Sequence, residues 1–429
     1  MSSIVKQSSI IGIGRIAIAV IIFLSDAILS RHLGVIGKGE YFYVYNLIFT
    51  SSIILTGGIE YGNFYYFSRS DQKQLLLNSL AYLLMLAICI FTFGSAILNQ
   101  FPNSTAKITN LTTLITLGIV LETFSVVLIL FLLATGKTIP YVVSRIIRRG
   151  LFLFCIVAFF ITKSNATVHS CITIYIVSIS AGISFIIWQL RSKLPSNLHI
   201  DTKLLKNTLY YGIKTHVGMI AEQLHRRFGI FFLGFFSTTA SVGIYSVAIG
   251  IGELSLFVSN AASIALLSRT NIDKDKLQKE TSLITRHTTL LALLSSALLF
   301  IIGKFIILFF FGESFSKSYD ALLLILPGIL LYSFYASLKS YLINSGKSHI
   351  ATMCGLFGLA INVILNFCFL PVAGFKSAAF SLSCSYGLSS LLILILTAKF
   401  SHEKILSYIV LNTTDIEQLK HNISRILKR

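Results

Sequence analysis

Charge is scarce in this chain. Asp, Glu, Lys and Arg together make up 12% of its 429 residues, against the ~25% of a soluble domain, which excludes a fold that meets water on all sides. Metal and catalytic signatures are missing as well. The six cysteines (Cys89, Cys155, Cys171, Cys354, Cys368, Cys384) form no CxxC pair and have no histidine at ligand spacing, so they read as buried free thiols with no metal expected. No HExxH, no paired intramembrane carboxylate motif and no GxSxG with a serviceable base is present, which argues against an enzyme. Gly-Lys-Thr and Gly-Lys-Ser triplets at 136–138 and 346–348 resemble the end of a P-loop. Phe131 and Tyr341 stand where its earlier glycine is required, so the triplets read as loop turns, and no cofactor is expected.

Apolar sequence is what the chain has in abundance. Hydrophobic residues make up 55% of it, gathered into runs of about 20 residues, each able to span ~30 Å of hydrocarbon. The spans fall near 9–30, 41–58, 75–98, 111–134, 143–162, 171–190, 210–236, 243–267, 288–311, 322–342, 350–370 and 377–398. The first run is too long for a secretory signal and lacks a small-residue cleavage site, so it reads as a retained helix. The net charge of +19 would suggest nucleic acid in a soluble protein. Here the basic residues sit mostly between spans, on the side that holds both termini and the loops after even-numbered spans. Only Arg31, Lys38, Lys107, Lys163, Lys317 and Lys376 fall opposite. That bias implies a multi-pass protein of the bacterial cytoplasmic (inner) membrane with both termini cytoplasmic, and no nucleic-acid partner. The loops after odd-numbered spans are too short to hold an extracytoplasmic domain.

The chain also repeats itself. Leu33-Gly34 followed by Gly39-Glu40-Tyr41 is matched by Leu233-Gly234 followed by Gly243-Ile244-Tyr245. Each leads into a span closing on Ser-Arg, at Ser68-Arg69 and Ser268-Arg269. Ala134-Thr135-Gly136-Lys137-Thr138 is likewise echoed by Asn344-Ser345-Gly346-Lys347-Ser348. Because six spans separate the copies, the repeat is parallel, about an axis along the membrane normal. The expected fold is all-α: about twelve transmembrane helices in two six-helix bundles, 1–194 and 195–398, around a central cavity. A basic tail at 399–429 completes the chain. From Thr414 a capping box with Glu417 and the stripe Ile416, Leu419, Ile423 and Ile426 predict an amphipathic helix at the cytoplasmic surface.

Ionisable residues inside the spans carry the functional signal. Arg15, Glu122, Glu222, Arg226, Arg227 and Glu253 stand well inside apolar runs, each costing ~2.5–3.5 kcal/mol at a helix centre. Their sum, on the order of 18 kcal/mol, exceeds a typical folding stability of about 5–15 kcal/mol. They cannot all face lipid. A pair between Glu222 and Arg226, one helical turn apart, would relieve part of the cost, and a water-filled cavity between the lobes would relieve the rest. At 100° per residue Arg15 and Asp26 share a face, as do Lys214 and His225. Arg15, Lys214, His225, Arg226, Arg227 and Lys304 are therefore the candidate contacts for an anionic cargo, since arginine forks bind phosphate oxygens bidentately. Asp26, Glu122, Glu222 and Glu253 are the candidates to carry a proton or sodium ion. Blander readings stand beside several of these. Lys214 and Lys339 lie close enough to cytoplasmic ends to snorkel. Arg145, Arg148 and Arg149 read as topology anchors, Lys304 suits cavity or interface equally, and His216 and His225 suit hydrogen-bonded packing.

The segments Tyr211-Gly212-Ile213-Lys214-Thr215-His216-Val217-Gly218, Val242-Gly243-Ile244-Tyr245-Ser246-Val247-Ala248 and Phe311-Gly312-Glu313-Ser314-Phe315, with Leu326-Pro327-Gly328, Leu365-Asn366 and Pro371-Val372-Ala373-Gly374, resemble O-antigen and polysaccharide flippases of the multidrug/oligosaccharidyl-lipid/polysaccharide exporter superfamily. The resemblance implies a V-shaped pair of bundles like that of the multidrug exporters in this superfamily. It also implies translocation of undecaprenyl-diphosphate-linked oligosaccharide, alongside membrane lipids and the polymerase and chain-length proteins of the same pathway. Arg227 matches a basic position of that family. Gly229 stands where the family commonly has Asp, and Ser259 and Ser268 where it often has proline, so coupling through that Asp and kinking by those prolines are not carried over. A multidrug exporter and an O-antigen polymerase are the alternatives.

Overall fold

The computed structural model describes residues 3–100, 111–162, 167–194, 199–267, 274–410 and 415, and among them there is no strand. In chain order the helices are α1 (Ser3–Leu55), α2 (Ile59–Tyr66), α3 (Gln72–Gln100), α4 (Thr112–Ala134), α5 (Thr138–Ile161), α6 (Val168–Leu190), α7 (Thr202–Phe236), α8 (Thr239–Leu267), α9 (Lys274–Ile306), α10 (Ser318–Asn344), α11 (Ser348–Ala373), α12 (Phe375–Ser401) and α13 (Leu406–Ile409). Eight helices among the described residues are long and apolar enough to cross a membrane. α5 and α7 are long enough but carry clustered charge: Arg145, Arg148 and Arg149 in one, Glu222, Arg226 and Arg227 in the other.

α1 supplies two of the expected crossings. It breaks at Gly34, whose φ of 65° and ψ of −175° are open to glycine alone at little cost. Lys38 Nζ reaches Asp26 Oδ1 at 2.5 Å, although twelve residues of straight helix would hold the two positions about 18 Å apart. The chain therefore folds back at Gly34 with no intervening loop. This corrects the reading of Lys38 as an outward loop residue: it is fully buried and belongs to the second arm. With both arms counted, each predicted span has its helix.

Local sequence explains where the helices begin and end. Asp201 caps α7 by accepting from the Leu204 amide at 2.9 Å, and Thr167 caps α6 by accepting from Ser170 at 3.2 Å. The repeated Gly-Lys turns have one conformation: Gly136 (φ 78°) ends α4 and Gly346 (φ 74°) ends α10, each followed at once by the next helix. They are turns, as expected. α8 runs on through Ser259 without a proline.

Two cores result. Ile48, Ile115, Phe131, Phe152, Tyr175 and Ile179 join α1 to α4, α5 and α6; Ile230, Tyr245, Ile325, Tyr335, Leu382 and Ile393 join α7, α8, α10 and α12. Small residues bring the second bundle close, and the Gly328 amide donates to Ser383 Oγ at 2.8 Å between α10 and α12. Outward, Leu294, Leu298, Ile301 and Phe305 form an exposed stripe along α9, a surface suited to lipid.

The bundles meet along α1 against α8 and α2 against α7. A Cβ on Gly39 would lie 1.8 Å from the Thr239 carbonyl oxygen, and one on Gly243 would lie 2.1 Å from that of Val35. Gly39 and Gly243 are equivalent positions of the repeat, so the repeat axis passes between them. The tail helix expected from Thr414 lies outside the described residues except for Asp415, which receives Arg286 Nε at 2.6 Å and Nη2 at 2.9 Å. The thiols are free. Only Cys171 and Cys354 are fully buried, whereas Cys89 and Cys368 are exposed, because helix faces turned to lipid accept a thiol as readily as the core does.

Candidate functional site: an arginine-lined cavity

A cavity of about 540 Å³ opens between α1, α5, α7 and α8. α1 contributes Arg15 and Asp26 from its first arm and Tyr41 and Tyr45 from its second; α5 contributes Arg145 and Arg149, α7 Arg226 and Arg227, and α8 Glu253 and Asn260. Five arginines thus face two carboxylates.

Their surroundings differ. Glu253 is shared by Arg226 and Arg227, each donating at 3.1 Å, and Asp26 is matched by Lys38 from behind the wall. Arg15, Arg145 and Arg149 have no carboxylate within ion-pair distance among the described residues. Arg149 Nη2 donates instead to Tyr45 Oη at 3.0 Å, Arg145 Nη1 donates to Tyr141 Oη at 3.3 Å, and Arg15 lies beside Tyr141. A phenol orients a guanidinium without cancelling its charge. One wall of the cavity therefore holds three aimed, unneutralised cations, a setting for a dianionic or polyanionic group.

The other residues singled out from sequence lie elsewhere. Glu222 does not pair with Arg226: Lys339 Nζ donates to its Oε2 and Tyr332 Oη to its Oε1, the latter at 3.3 Å, while Arg226 turns to Glu253. Lys339 is thus held inside the bundle rather than snorkelling. Glu122 is buried against Arg148 Nη2 at 2.6 Å and Tyr175 Oη at 3.1 Å, behind the cavity lining rather than in it. His225 is a packing residue, its Nε2 2.9 Å from Ser385 Oγ and its ring edge-on to Tyr386. Lys214 is exposed over the Tyr210 ring and Lys304 is exposed on α9; neither lines the cavity. Arg145 and Arg149, read as anchors, do line it. Their four-residue spacing on one helix face was the available signal.

A second, apolar groove of about 450 Å³ adjoins the cavity and shares Ala19, Phe23, Leu254 and Phe257 with it. Ile16, Val20, Ile251, Leu299, Ile306 and Phe310 complete the groove. A charged chamber and a dry slot thus share a wall made by α1 and α8.

Residues 68–320, more than half of the chain, match the family described as polysaccharide biosynthesis protein. The chain belongs to that family. No match was found among curated proteins. In fold, the chain is similar to an inward-facing multidrug resistance transporter of the MATE family of the MOP superfamily, with TM-score 0.73 and 15% identity over 91% of this chain and 98% of that one. It is also similar to the lipid II flippase MurJ in an inward closed conformation, with TM-score 0.74 and 15% identity over 92% of this chain and 88% of that one. An outward-facing MATE transporter matches at TM-score 0.67 and 16% identity, covering 93% of this chain and 95% of that one. The two-bundle, multi-pass membrane fold is thereby established.

Proposed function

We propose that the protein is a flippase that carries an undecaprenyl-diphosphate-linked oligosaccharide, an O-antigen or other polysaccharide repeat unit, from the cytoplasmic to the outer leaflet of a bacterial inner membrane. The observation that carries this reading is the shared wall between the arginine cavity and the apolar groove. An amphiphile with a diphosphate headgroup and a long hydrocarbon tail suits both spaces at once. Arg15, Arg145 and Arg149 engage the diphosphate, Arg226 and Arg227 take part as Glu253 lets go, and the tail lies along Phe23 and Phe257 toward lipid. Rocking of the bundles 1–194 and 195–398 about the seam then re-exposes the headgroup on the other side. No chemical step is needed. Membership of a polysaccharide biosynthesis family supports the cargo class, and the polymerase and chain-length proteins of that pathway would take the product.

Purified protein in vesicles holding a fluorescent undecaprenyl-diphosphate oligosaccharide tests this. Wild type should move the inner-leaflet headgroup into reach of an impermeant external quencher, and Arg149→Ala should not. Movement no faster than in protein-free vesicles would sink the reading. A multidrug exporter would instead change the drug sensitivity of a deletion strain, and five lining arginines disfavour cationic drugs. A polymerase would leave single units on the outer leaflet when lost.

A further inference from the structure

Transport against a gradient needs a coupling ion, and each carboxylate nominated from sequence is already matched: Asp26 by Lys38, Glu122 by Arg148, Glu222 by Lys339 and Glu253 by Arg226 and Arg227. Protonating any of them would strand a cation. Glu60 is different. It sits on α2, in the connection between spans, 2% exposed and with no Lys or Arg within ion-pair distance among the described residues. Its Oε1 accepts from Thr56 Oγ1 at 3.1 Å, and its Oε2 has no partner.

Across the seam His216 of α7, 1% exposed, places Nδ1 3.8 Å from Glu60 Oε1. The other ring nitrogen, Nε2, lies 3.2 Å from the Ile54 carbonyl oxygen. A carbonyl only accepts, so Nε2 carries the hydrogen and Nδ1 of the neutral ring is a bare lone pair; Nδ1 has no hydrogen-bond partner. Two buried acceptors therefore face each other with no donor between them, and one proton would satisfy both. The halves touch through backbone beside this point: a Cβ on Gly58 would lie 2.6 Å from the Gly212 carbonyl oxygen, and one on Gly212 would lie 2.1 Å from that of Gly58.

We propose that Glu60 and His216 form a proton-binding site across the seam between the halves, and that the bound proton holds α2 against α7. Because its function would be to time the rocking of the bundles, this rests on the alternating-access reading above. The titratable groups around Glu60 are Tyr61 of its own helix, Tyr82 of α3 and His216 of α7, with Glu222 facing Tyr61. Next in sequence to Glu60, Ile59 belongs to a small apolar core with Leu83 and Val127, against which Tyr82, Phe124, Leu205 and Leu209 pack. Burial pushes the Glu60 carboxyl up to about 7. Once the seam opens to water the ordinary value of 4.5 returns. Opening also returns the His216 imidazole to water at its ordinary value of roughly 6.5. The closed seam therefore gains stability as pH falls through about 7, gains no more below about 6.5, where the open seam takes up a proton on His216, and loses that gain as pH rises through 7.

Nitroxides at Phe64→Cys on α2 and Ile213→Cys on α7, both exposed positions, would report the seam in full-length, otherwise cysteine-free protein in nanodiscs. Dipolar broadening should be strong at pH 5.5 and weaken toward pH 8.5 with a midpoint near 7. Glu60→Gln, whose amide can donate to Nδ1 without titrating, should stay broadened at every pH. Equal broadening at both pH values in the parent, or an unchanged pH response in Glu60→Gln, would overturn the proposal. No lipid-linked substrate enters this measurement. A pH-silent seam in a protein that still flips lipid removes this inference alone, and a responsive seam in one that does not flip removes the functional reading alone.

Discussion

The two sets of arginines facing the cavity are chemically identical and electrostatically unlike. Arg226 and Arg227 share one carboxylate, whereas Arg145 and Arg149 rest on phenols and Arg15 lies beside one. A guanidinium held by a carboxylate is affordable in the apolar interior but has to exchange partners before it binds an anion. One held by a tyrosine keeps its charge for the ligand and relies on water in the cavity to tolerate it. The sequence cost of an arginine is the same in both cases; only the partner shows which one is available.

The sharpest way to test that division is to compare a charge that serves the fold with one that serves the cavity. Glu122→Ala strands Arg148 in the first bundle and should cost about 3–5 kcal/mol, seen as a large fall in folded yield by size-exclusion chromatography. Arg149→Ala should leave that yield near wild type. The same substitution should weaken binding of a diphosphate headgroup by roughly 10–100-fold, the equivalent of about 1.5–3 kcal/mol for a hydrogen bond to a charged group, measured by titrating a lipid diphosphate into protein in nanodiscs. Arg227→Ala should cost less, on the order of tenfold, because Arg226 retains Glu253 and the pair enters the cavity partly neutralised. If Arg227→Ala costs as much as Arg149→Ala, the phenol-backed and carboxylate-backed sets are not distinct. Tyr45→Phe removes a single acceptor and should produce the smallest effect, about 1 kcal/mol or fivefold in affinity, with no change in folded yield.

The fold was readable because its determinants are local or periodic. Twelve apolar runs and two Gly-Lys turns in register are visible in one dimension, and Gly136 and Gly346 adopt the same conformation for the same reason. The pairings were not. Helical spacing offers Glu222 only Arg226, on its own helix, while its partner Lys339 lies 117 residues away. Lys38 reads as a loop residue because a single glycine turns the chain where a longer connection is expected. Counting charges along the chain assigns Arg145 and Arg149 to topology and says nothing of the face they occupy. Glu60 goes unread because α2 is an eight-residue helix inside what hydropathy marks as a connection, and His216 reads only as a packing residue because the carboxylate it faces is on another helix, in the other half of the chain.

The contact between Gly39 and Gly243 has a meaning beyond packing. An interface in which a position leans on its own equivalent is the self-complementary kind made by two copies of one chain about a two-fold axis. This protein therefore carries the geometry of a dimer of six-helix subunits within one polypeptide. Within one polypeptide the two halves need not match away from that axis: the first carries phenol-backed arginines on α5 and the second a carboxylate-matched pair on α7, while at the axis a side chain on Gly39 or Gly243 would meet backbone.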